Sequence, residues 1–385
     1  MNMKCFLSMI TFLAILTSCQ EATKYRDVIL FTGTEDSPVI KFTVDDMNTT
    51  MALTVTATDK VMEDTQVGVS IDNSMLASYN EINSRSYVAL PAANYEIDKT
   101  VTVIKSGFNV SEQILIHIKS LDGLDEGKIY CIPVTITSTS TGVEILETSK
   151  TAYIVLNRPI VSNVVNLNGT AFNVPKFQTD KRVSALQAIT MEARVKSSAW
   201  SNANPFISTV MGIEENYLLR FGDISLNRGD LLQMGPAKIG GKKFFVTGNT
   251  AYALEKWYHI ASVYDGSSVA IYVDGKLDKK ISVDPGIVNL NDPYFDGFWI
   301  GKSERGRMFR GAISEVRVWN RALSASELQD NVCIVDPKSK GLLAYWKFNA
   351  IQEDGKTVRD ETGNGFDAIA NSNRFTWVEN VKCPE

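Results

Sequence analysis

The chain has 385 residues, of which 44% are hydrophobic and 22% charged, the composition of an ordinary globular protein. This length is sufficient for two domains, each with its own hydrophobic core. The net charge of -5 and the isoelectric point near 5.4 argue against a nucleic-acid-binding protein, because no basic face is offered to a phosphate backbone.

Residues 1–18 have the form of a secretory signal, with Lys4 before an apolar run over residues 6–16. The run is too short to span a bilayer in the mature protein. The motif LTSC at Leu16–Cys19 resembles the lipobox of bacterial lipoproteins. That resemblance implies cleavage before Cys19 and acylation of its side chain, and two or more acyl chains give stable anchoring. A simple signal peptide with an incidental cysteine is the alternative.

Gln20 follows the cysteine, where an Asp would suggest retention in the inner membrane of enteric-type bacteria. The resemblance therefore implies an outer-membrane lipoprotein, and we expect it at the cell surface. Residues 19–40 are mixed in composition, and we predict that they form a tether leading into a first strand.

Residues 41–158 are predicted to form a first all-β domain, because runs rich in Val, Ile and Thr alternate with turn residues. The predicted strands are Met51–Ala57, Val67–Ile71, Thr100–Ile104, Gln113–Lys119, Tyr130–Thr137 and Ala152–Leu156. One helix is predicted between them, capped by Asp72 or Asn73. Helical spacing places four apolar side chains on its buried face: Met75, Leu76, Tyr79 and Ile82.

The segment VSIDNSMLASYNEINSRSYVALPAANYEI, at Val69–Ile97, and GKIYCIPVTI, at Gly127–Ile136, are similar to a Bacteroidetes domain of unknown function. In that family the domain stands at the N-terminus of surface lipoproteins encoded near glycan-utilisation genes. The resemblance implies an immunoglobulin-like β-sandwich. The acidic residues of the domain lie scattered in turns without catalytic or metal-binding spacing, so a spacer or accessory binding role is expected.

Asn157-Arg158-Pro159 ends the last strand of the first domain, since proline cannot donate to a strand ladder. The second domain is therefore predicted over residues 159–385. Its many short strands indicate a β-sandwich. They are Val161–Leu167, Thr190–Lys196, Phe206–Met211, Tyr217–Phe221, Lys243–Val246, Phe298–Lys302, Ala312–Trp319, Leu342–Phe348 and Phe375–Val378, besides the hairpin described next.

The second domain is organised around Trp257–Lys276, WYHIASVYDGSSVAIYVDGK, which predicts two strands folded into a hairpin. Asp265-Gly266 lies between the two runs, and Asp-Gly supplies the positive φ that tight turns need. An isolated hairpin is marginal in water, so a second sheet must cover its apolar face. The motif SASE at Ser324–Glu327 predicts a capping box and a short helix from Ala325.

This hairpin, followed by FRGAISEVRVWNRALSASEL at Phe309–Leu328, resembles the laminin G-like, concanavalin A-type jelly-roll module. That module is common in secreted bacterial carbohydrate-associated proteins, and the resemblance covers residues 159–385. It is diagnostic of the fold and much less so of the ligand, because the fold hosts lectins, glycosidases and adhesion modules alike.

Three cysteines remain once the signal is removed. Cys333 and Cys383 flank the C-terminal segment in an oxidising compartment, so we predict a disulfide, which typically contributes about 2 to 4 kcal/mol. Cys131 lies in an apolar strand and is interpreted as a buried free thiol rather than a nucleophile, because no histidine lies near it in sequence.

No catalytic residue is assigned. Glycosidases of the related jelly-roll class use paired carboxylates on one strand, whereas Glu315 stands alone in ISEVRVW. His259 is predicted to pack inside the sandwich rather than to catalyse. With only two histidines in the chain, no nucleophile with a basic partner can be inferred.

Carbohydrate recognition needs a flat apolar surface for the sugar's C–H face and polar groups for its hydroxyls. Loops at one end of the sandwich are predicted to supply both. The turn beside Pro293 is the segment best placed to expose aromatic side chains. The predicted ligand-binding residues are Trp200, Tyr217, Asp292, Tyr294, Phe295 and Asp296.

Calcium is common in the resembled family and is left open as a cofactor. The family's usual acidic residue in the motif G-x-I-D-E-V is replaced by Ser314. A second option is DETGNGFD, in which Asp360, Asn364 and Asp367 could converge on calcium. A Gly-rich turn, whose Asp and Asn side chains bond their own backbone, is the simpler interpretation.

These features predict a non-catalytic cell-surface lipoprotein that captures oligosaccharides or glycoprotein glycans for a glycan-utilisation system. The alternative is a protein-interaction or assembly component whose loops contact neighbouring surface lipoproteins. A glycoside hydrolase is less favoured, because the carboxylate pair is missing from the sequence.

Overall fold

The computed structural model describes residues 27–44, 49–304 and 306–384. The signal segment and the lipobox with Cys19 lie outside these residues. No helix within the described ranges is long and apolar enough to cross a membrane.

The first domain is a β-sandwich with one short α-helix. Its elements are β1 Val28–Phe31, β2 Val39–Thr43, β3 Thr50–Leu53, β4 Val55–Ala57, β5 Thr65–Ile71, α1 Met75–Asn83, β6 Tyr87–Ala89, β7 Tyr95–Ile97, β8 Val101–Ile104, β9 Ile114–Ile118, β10 Ile129–Thr139, β11 Glu144–Ile145 and β12 Thr151–Asn157. The largest sheet has the order β2-β12-β10-β5-β8, with β6 beside β10. Two smaller sheets, β11-β1-β4 and β3-β9-β7, share one apolar core with it.

The predicted tether over residues 19–40 is wrong in its second half. The β1 strand Val28–Phe31 pairs with β4 in an antiparallel ladder that places Ile29 opposite Ala57. Ile29 and Phe31 are fully buried in the core. β1 is a short strand whose partners lie far along the chain, so its local sequence does not distinguish it from a linker.

The predicted helix is present at Met75–Asn83, but its buried face is narrower than expected. Leu76 is buried and the ring of Tyr79 stacks on Tyr153 with centroids 3.9 Å apart, whereas Ile82 is exposed. The helix is short and contacts the sheet near its first turns, so the last turn projects into solvent.

The second domain is a sandwich of two larger sheets. Its elements are β13 Ile160–Asn166, β14 Phe172–Asn173, β15 Ile189–Ser197, β16 Ser208–Ile213, β17 Tyr217–Asp223, β18 Arg228–Ile239, β19 Lys242–Ala251, β20 Trp257–Tyr264, β21 Ser268–Val273, β22 Lys276–Ser282, β23 Trp299–Ile300, β24 Gly311–Trp319, α2 Ala325–Asp330, β25 Leu342–Trp346, β26 Thr357–Val358, β27 Ala368–Ala370 and β28 Thr376–Cys383. One sheet has the order β22-β21-β20-β15-β24-β13-β28, and the other β19-β18-β17-β16-β23-β14-β27-β26. Their inner faces enclose a common apolar core.

The predicted hairpin β20–β21 forms, with Tyr264 opposite Val269. The capping box also forms, because Ser324 accepts from the Glu327 N–H at 3.2 Å and Glu327 accepts from the Ser324 N–H at 2.9 Å. The long strand β18 is absent from the prediction. Lys238–Lys243 forms the end of the β18–β19 hairpin, in which Lys238 pairs with Lys243 and Gly240-Gly241 is the turn.

The structure contains the predicted disulfide between Cys333 and Cys383. It joins the end of β28 to the segment that follows α2. Cys131 is a buried free thiol, and burial raises its pKa above the ordinary range of a cysteine. A nucleophilic role for Cys131 is therefore not supported, since the thiolate is the reactive form.

The two domains are in contact through α2. Arg85 of the first domain forms an ion pair of 2.8 Å with Asp330 and donates to the Ser326 carbonyl at 2.7 Å. Gly127 packs so closely on Val335 that a Cβ atom at this position would clash with the Val335 backbone. These contacts hold the first domain against the face of the second domain that carries α2.

Candidate functional site

A cleft of about 470 Å³ opens at one end of the sheet formed by β16, β17, β18 and β19. Three loops border it: the β16–β17 turn, the β18–β19 turn and the segment before β23. A further residue comes from the loop after β23. The residues lining it are Glu214, Glu215, Lys238, Lys243, Asp292, Tyr294, Phe295 and Glu304.

The side chains of Tyr294 and Phe295 form an exposed aromatic pair at the edge of this cleft. Their exposed fractions are 48% and 40%. The rings meet edge to face, with centroids 4.6 Å apart and an interplanar angle of 79°. The pair therefore offers apolar ring surface to solvent, which is what a sugar's C–H face requires.

Hydrogen bonds hold the aromatic segment in one conformation. Asp292 Oδ1 accepts from the Tyr294 N–H at 3.0 Å, and Trp299 Nε1 donates to the Phe295 carbonyl at 2.9 Å. Asp292 Oδ2 also accepts from Asn216 Nδ2 at 3.1 Å, which ties the segment to the β16–β17 turn. The aromatic pair is thus connected to the sheet on both sides.

The backbone at the aromatic pair is strained. Phe295 has φ +49° and Asp296 has φ +65°, both in the left-handed region that non-glycine residues rarely adopt. Such conformations cost of order 1 to 3 kcal/mol and persist only where the surroundings enforce them. Here Asn173 and Gln178 donate to the Asp296 carbonyl at 2.8 and 2.6 Å. Strain of this kind is concentrated at binding and catalytic sites in proteins.

A buried carboxylate, Glu214, lines the cleft beside the aromatic pair. It is only 2% exposed, and its Oε1 accepts from Arg307 Nη1 at 2.6 Å. Its Oε2 is buried and has no hydrogen-bond partner among the described residues. A buried acceptor is costly unless a donor reaches it, so this oxygen is suited to accept from a ligand hydroxyl.

The other carboxylates of the cleft are already engaged by the protein. Glu215 pairs with Lys243, and Glu304 forms an ion pair of 3.1 Å with Arg307. Asp292 accepts from Asn216 and from backbone. Glycoside hydrolysis uses a pair of carboxyl groups, and three of the four carboxylates of this cleft are held in contacts with the protein itself.

The structure brings together Asp292, Tyr294 and Phe295, with Asp296 exposed next to them. Tyr217 is not available to a ligand, because its ring faces the core and is fully buried. Trp200 is half-buried against Phe221, with ring centroids 4.9 Å apart, at the opposite end of β17 from the cleft. Neither side chain therefore joins the aromatic pair at the cleft, in contrast to the prediction.

The polar half of the cleft does not follow from the sequence. The residues concerned are Glu214, Glu215, Lys238, Lys243 and Glu304. Each of these residues lies in or close to a turn. Their sequence signal is a short polar segment between two apolar runs. That signal marks a turn without showing which other turns lie beside it.

The candidate calcium segment does not fit a cation. The Asp360 carboxylate accepts from backbone N–H groups, and Asp367 accepts from the Asp360 N–H at 2.9 Å. Asn364 accepts through Oδ1 from Arg182 at 2.8 Å and through its carbonyl from Lys176 at 2.7 Å. Two cationic side chains already occupy these oxygens and would repel a metal ion. The segment is a hydrogen-bonded turn, and the described residues contain no cluster of three or more metal-binding side chains.

A second group of charged side chains lies buried under α2. Glu192 accepts from Trp319 Nε1 at 2.9 Å and from Arg317 Nη1 at 3.2 Å, and it lies 3.0 Å from His259 Nε2. Arg317 also donates to Glu315 at 2.6 Å. Burial alone raises the pKa of Glu192, but Arg317 and the hydrogen bonds outweigh it and hold the pKa below its ordinary value. Glu192, His259 and Arg317 are closed to solvent, so this cluster is structural.

Comparison with known proteins finds a family model that matches part of each half of the chain. Residues 170–329 match the family model of the concanavalin A-like lectin/glucanases superfamily, and residues 25–143 match a model that describes an N-terminal domain. A crystal structure from Bacteroides ovatus, described as a "putative carbohydrate binding protein", is 25% identical with a TM-score of 0.55. The likeness covers 92% of this chain and 98% of that one, so it includes both domains.

Two other solved structures show partial likeness. The CBM40 of Ruminococcus gnavus IT-sialidase, bound to α2,3-sialyllactose, is 18% identical with a TM-score of 0.33, over 45% of this chain and 95% of that one. EndoBT-3987 of Bacteroides thetaiotamicron, with a Man5GlcNAc product, is 22% identical with a TM-score of 0.28, over 34% and 30%. A search of curated proteins finds no match.

Proposed function

We propose that this chain, which carries a laminin G-like, concanavalin A-like domain behind a separate N-terminal domain, binds oligosaccharide in the cleft at Tyr294 and Phe295 without catalysing its hydrolysis. The observation on which this proposal depends is the exposed aromatic pair, held in a strained backbone beside the unpartnered oxygen of Glu214. The likeness over both domains to the Bacteroides ovatus protein supports the same function.

The cleft is suited to a neutral glycan. A sugar ring stacked on Phe295 would place hydroxyl groups over the polar half of the cleft, where Glu214 Oε2 accepts and the lysines donate. Four carboxylates and two lysines line the cleft. We therefore expect neutral oligosaccharides to bind in preference to uronate- or sialate-bearing ones, because like charges repel at short distance.

The aromatic pair is tested by Tyr294→Ala combined with Phe295→Ala. A glycan array screened with the wild-type protein selects the ligand, and calorimetry then measures the affinity of both proteins for it. The double variant should bind about tenfold more weakly than wild type, a loss of about 1.4 kcal/mol in binding free energy. Trp377→Ala is the matched control, since Trp377 is as exposed as Phe295 but lies on β28 of the opposite sheet. This variant should bind the glycan with the affinity of wild type.

Two outcomes would contradict the proposed binding site. One is a blank array with protein that is shown to be folded, which would favour a protein partner for this face. The other is ligand binding that the double variant retains, which would place the carbohydrate site elsewhere. Release of free sugar from a bound oligosaccharide would contradict the non-catalytic part.

We further propose that Cys19 carries an acyl anchor and that the protein captures glycans at the outer membrane for a glycan-utilisation system. The lipobox motif supports the anchor. Metabolic labelling with an alkyne fatty acid in a Gram-negative host should mark the wild type in the membrane fraction. Cys19→Ala should abolish the label, and equal labelling of both proteins would contradict the anchor.

A further inference from the structure

Two large apolar side chains of the first domain, Met62 and Phe108, project into solvent from neighbouring loops. Their exposed fractions are 92% and 64%. The loops are paired through backbone, since the Val61 N–H donates to the Phe108 carbonyl at 2.9 Å and the Gly107 N–H to the Val61 carbonyl at 2.8 Å. Ser106 Oγ also donates to the Met62 carbonyl at 2.9 Å. We call residues 59–64 and 105–110 the apolar tip.

The apolar tip lies at the end of the domain where the chain enters from the N-terminal segment. Val28 donates to Thr58 Oγ1 at 3.0 Å, and the Thr58 N–H donates to the Val28 carbonyl at 3.0 Å. Thr58 directly precedes the tip in sequence. Cys19 and Asp27 are about eight residues apart, which is at most roughly 28 Å of extended chain. An anchor at Cys19 therefore keeps this end of the domain close to the membrane.

We propose that the apolar tip inserts into the bilayer surface that holds the acylated Cys19, with Met62 and Phe108 at the boundary of headgroups and acyl chains. This goes beyond the glycan-binding function and rests on the proposed anchor. Moving an exposed apolar side chain from water into lipid is favourable in free energy. Such contacts add to the membrane-binding energy that an acyl chain supplies. The first domain then has one end fixed at the membrane surface.

The charges of the tip indicate which lipid it prefers. Asp59, Glu63 and Asp64 outnumber Lys60 and Lys105, and Lys105 is paired with Asp64 at 3.1 Å. An acidic tip gains nothing from an anionic surface. Contact by apolar insertion into a zwitterionic bilayer is therefore the mode that the residues favour.

Photolabelling of the membrane-bound protein tests the proposal. The full chain, purified from host membranes, is reconstituted in phosphatidylcholine vesicles that contain a phospholipid with a diazirine in its acyl chain. Irradiation and peptide mass spectrometry should place the labels at residues 59–64 and 105–110, besides the N-terminal peptide. Met62→Gln with Phe108→Gln should lower labelling of these loops by roughly fivefold, because both apolar contacts are lost.

Ile224→Gln with Leu277→Gln is the matched control, since both side chains are exposed apolar residues of the second domain. This control should label as wild type does. Replacing part of the lipid by phosphatidylglycerol should not increase labelling of the tip. Three results would each overturn the proposal. They are labels confined to the N-terminal peptide, labels spread over the second domain, and a full chain that does not remain in the membrane fraction.

Discussion

Glu192→Ala is expected to lower the free energy of unfolding by about 3 to 5 kcal/mol, because it removes one of the two carboxylates that pair with the buried guanidinium of Arg317 and leaves only Glu315. Glu192 and Arg317 are fully buried, so water cannot replace the lost contact. Trp319 and His259 lose an acceptor in the same variant. Chemical denaturation followed by tryptophan fluorescence measures the loss.

Glu353→Ala is the control for this variant, because Glu353 is exposed and its removal should leave the denaturation midpoint unchanged. A loss below about 1 kcal/mol in Glu192→Ala would contradict the structural role of the cluster, since surface substitutions typically fall in that range.

The same carboxylate predicts a pH dependence with a definite sign. The folded pKa of Glu192 lies below its ordinary value of 4.5, so the unfolded chain binds the proton more readily than the folded protein. Its contribution to stability is therefore present above about pH 4.5 and is lost as the pH falls through the folded pKa. The glutamine in Glu192→Gln cannot titrate, so this variant should lose less stability than wild type when the pH falls from 5 to 3. Unfolding midpoints of both proteins at the two pH values measure the difference.

Removing the disulfide by Cys333→Ser with Cys383→Ser is expected to cost about 4 kcal/mol, because the bridge closes a loop of 50 residues in the unfolded chain. The bridge also secures β28, the edge strand that pairs with β13 at the end of its sheet. Thermal unfolding of the oxidised wild type against the double variant measures the effect.

Cys131→Ala tests whether the response of stability to reductant comes from the disulfide or from the free thiol. Cys131 is a free thiol, so this variant should respond to reductant as wild type does, whereas the double serine variant should no longer respond. If reductant lowers the melting temperature of the double variant as much as that of wild type, the disulfide is not the source of the stability.

Much of the fold follows from local sequence patterns. The β20–β21 hairpin, the capping box at Ser324 and most of the strands lie where alternation and turn residues predict them. These features depend on neighbours a few residues apart, which is why the sequence alone is sufficient. β1 and β18 do not follow from such patterns, because β1 is short and β18 is interrupted by Gly235 and Pro236.

The sequence also placed Tyr294 and Phe295 in an exposed turn, since Pro293 and the flanking Asp residues indicate a loop. It did not separate Tyr217 from them. An aromatic residue on a strand can face either side, and which side faces the core is decided by the second sheet. Tyr217 faces inward because the opposite sheet covers that face.

By itself, then, the sequence determined a two-domain all-β chain, its cysteine pair and an aromatic turn. Only the tertiary structure decided that Glu214 stands beside that turn, because the β16–β17 turn and Asp292 are joined by a hydrogen bond between residues 76 positions apart. It likewise placed the Met62 and Phe108 loops side by side at the N-terminal end of the first domain. Local patterns specify which segments are turns, whereas the packing of the two sheets decides which turns meet.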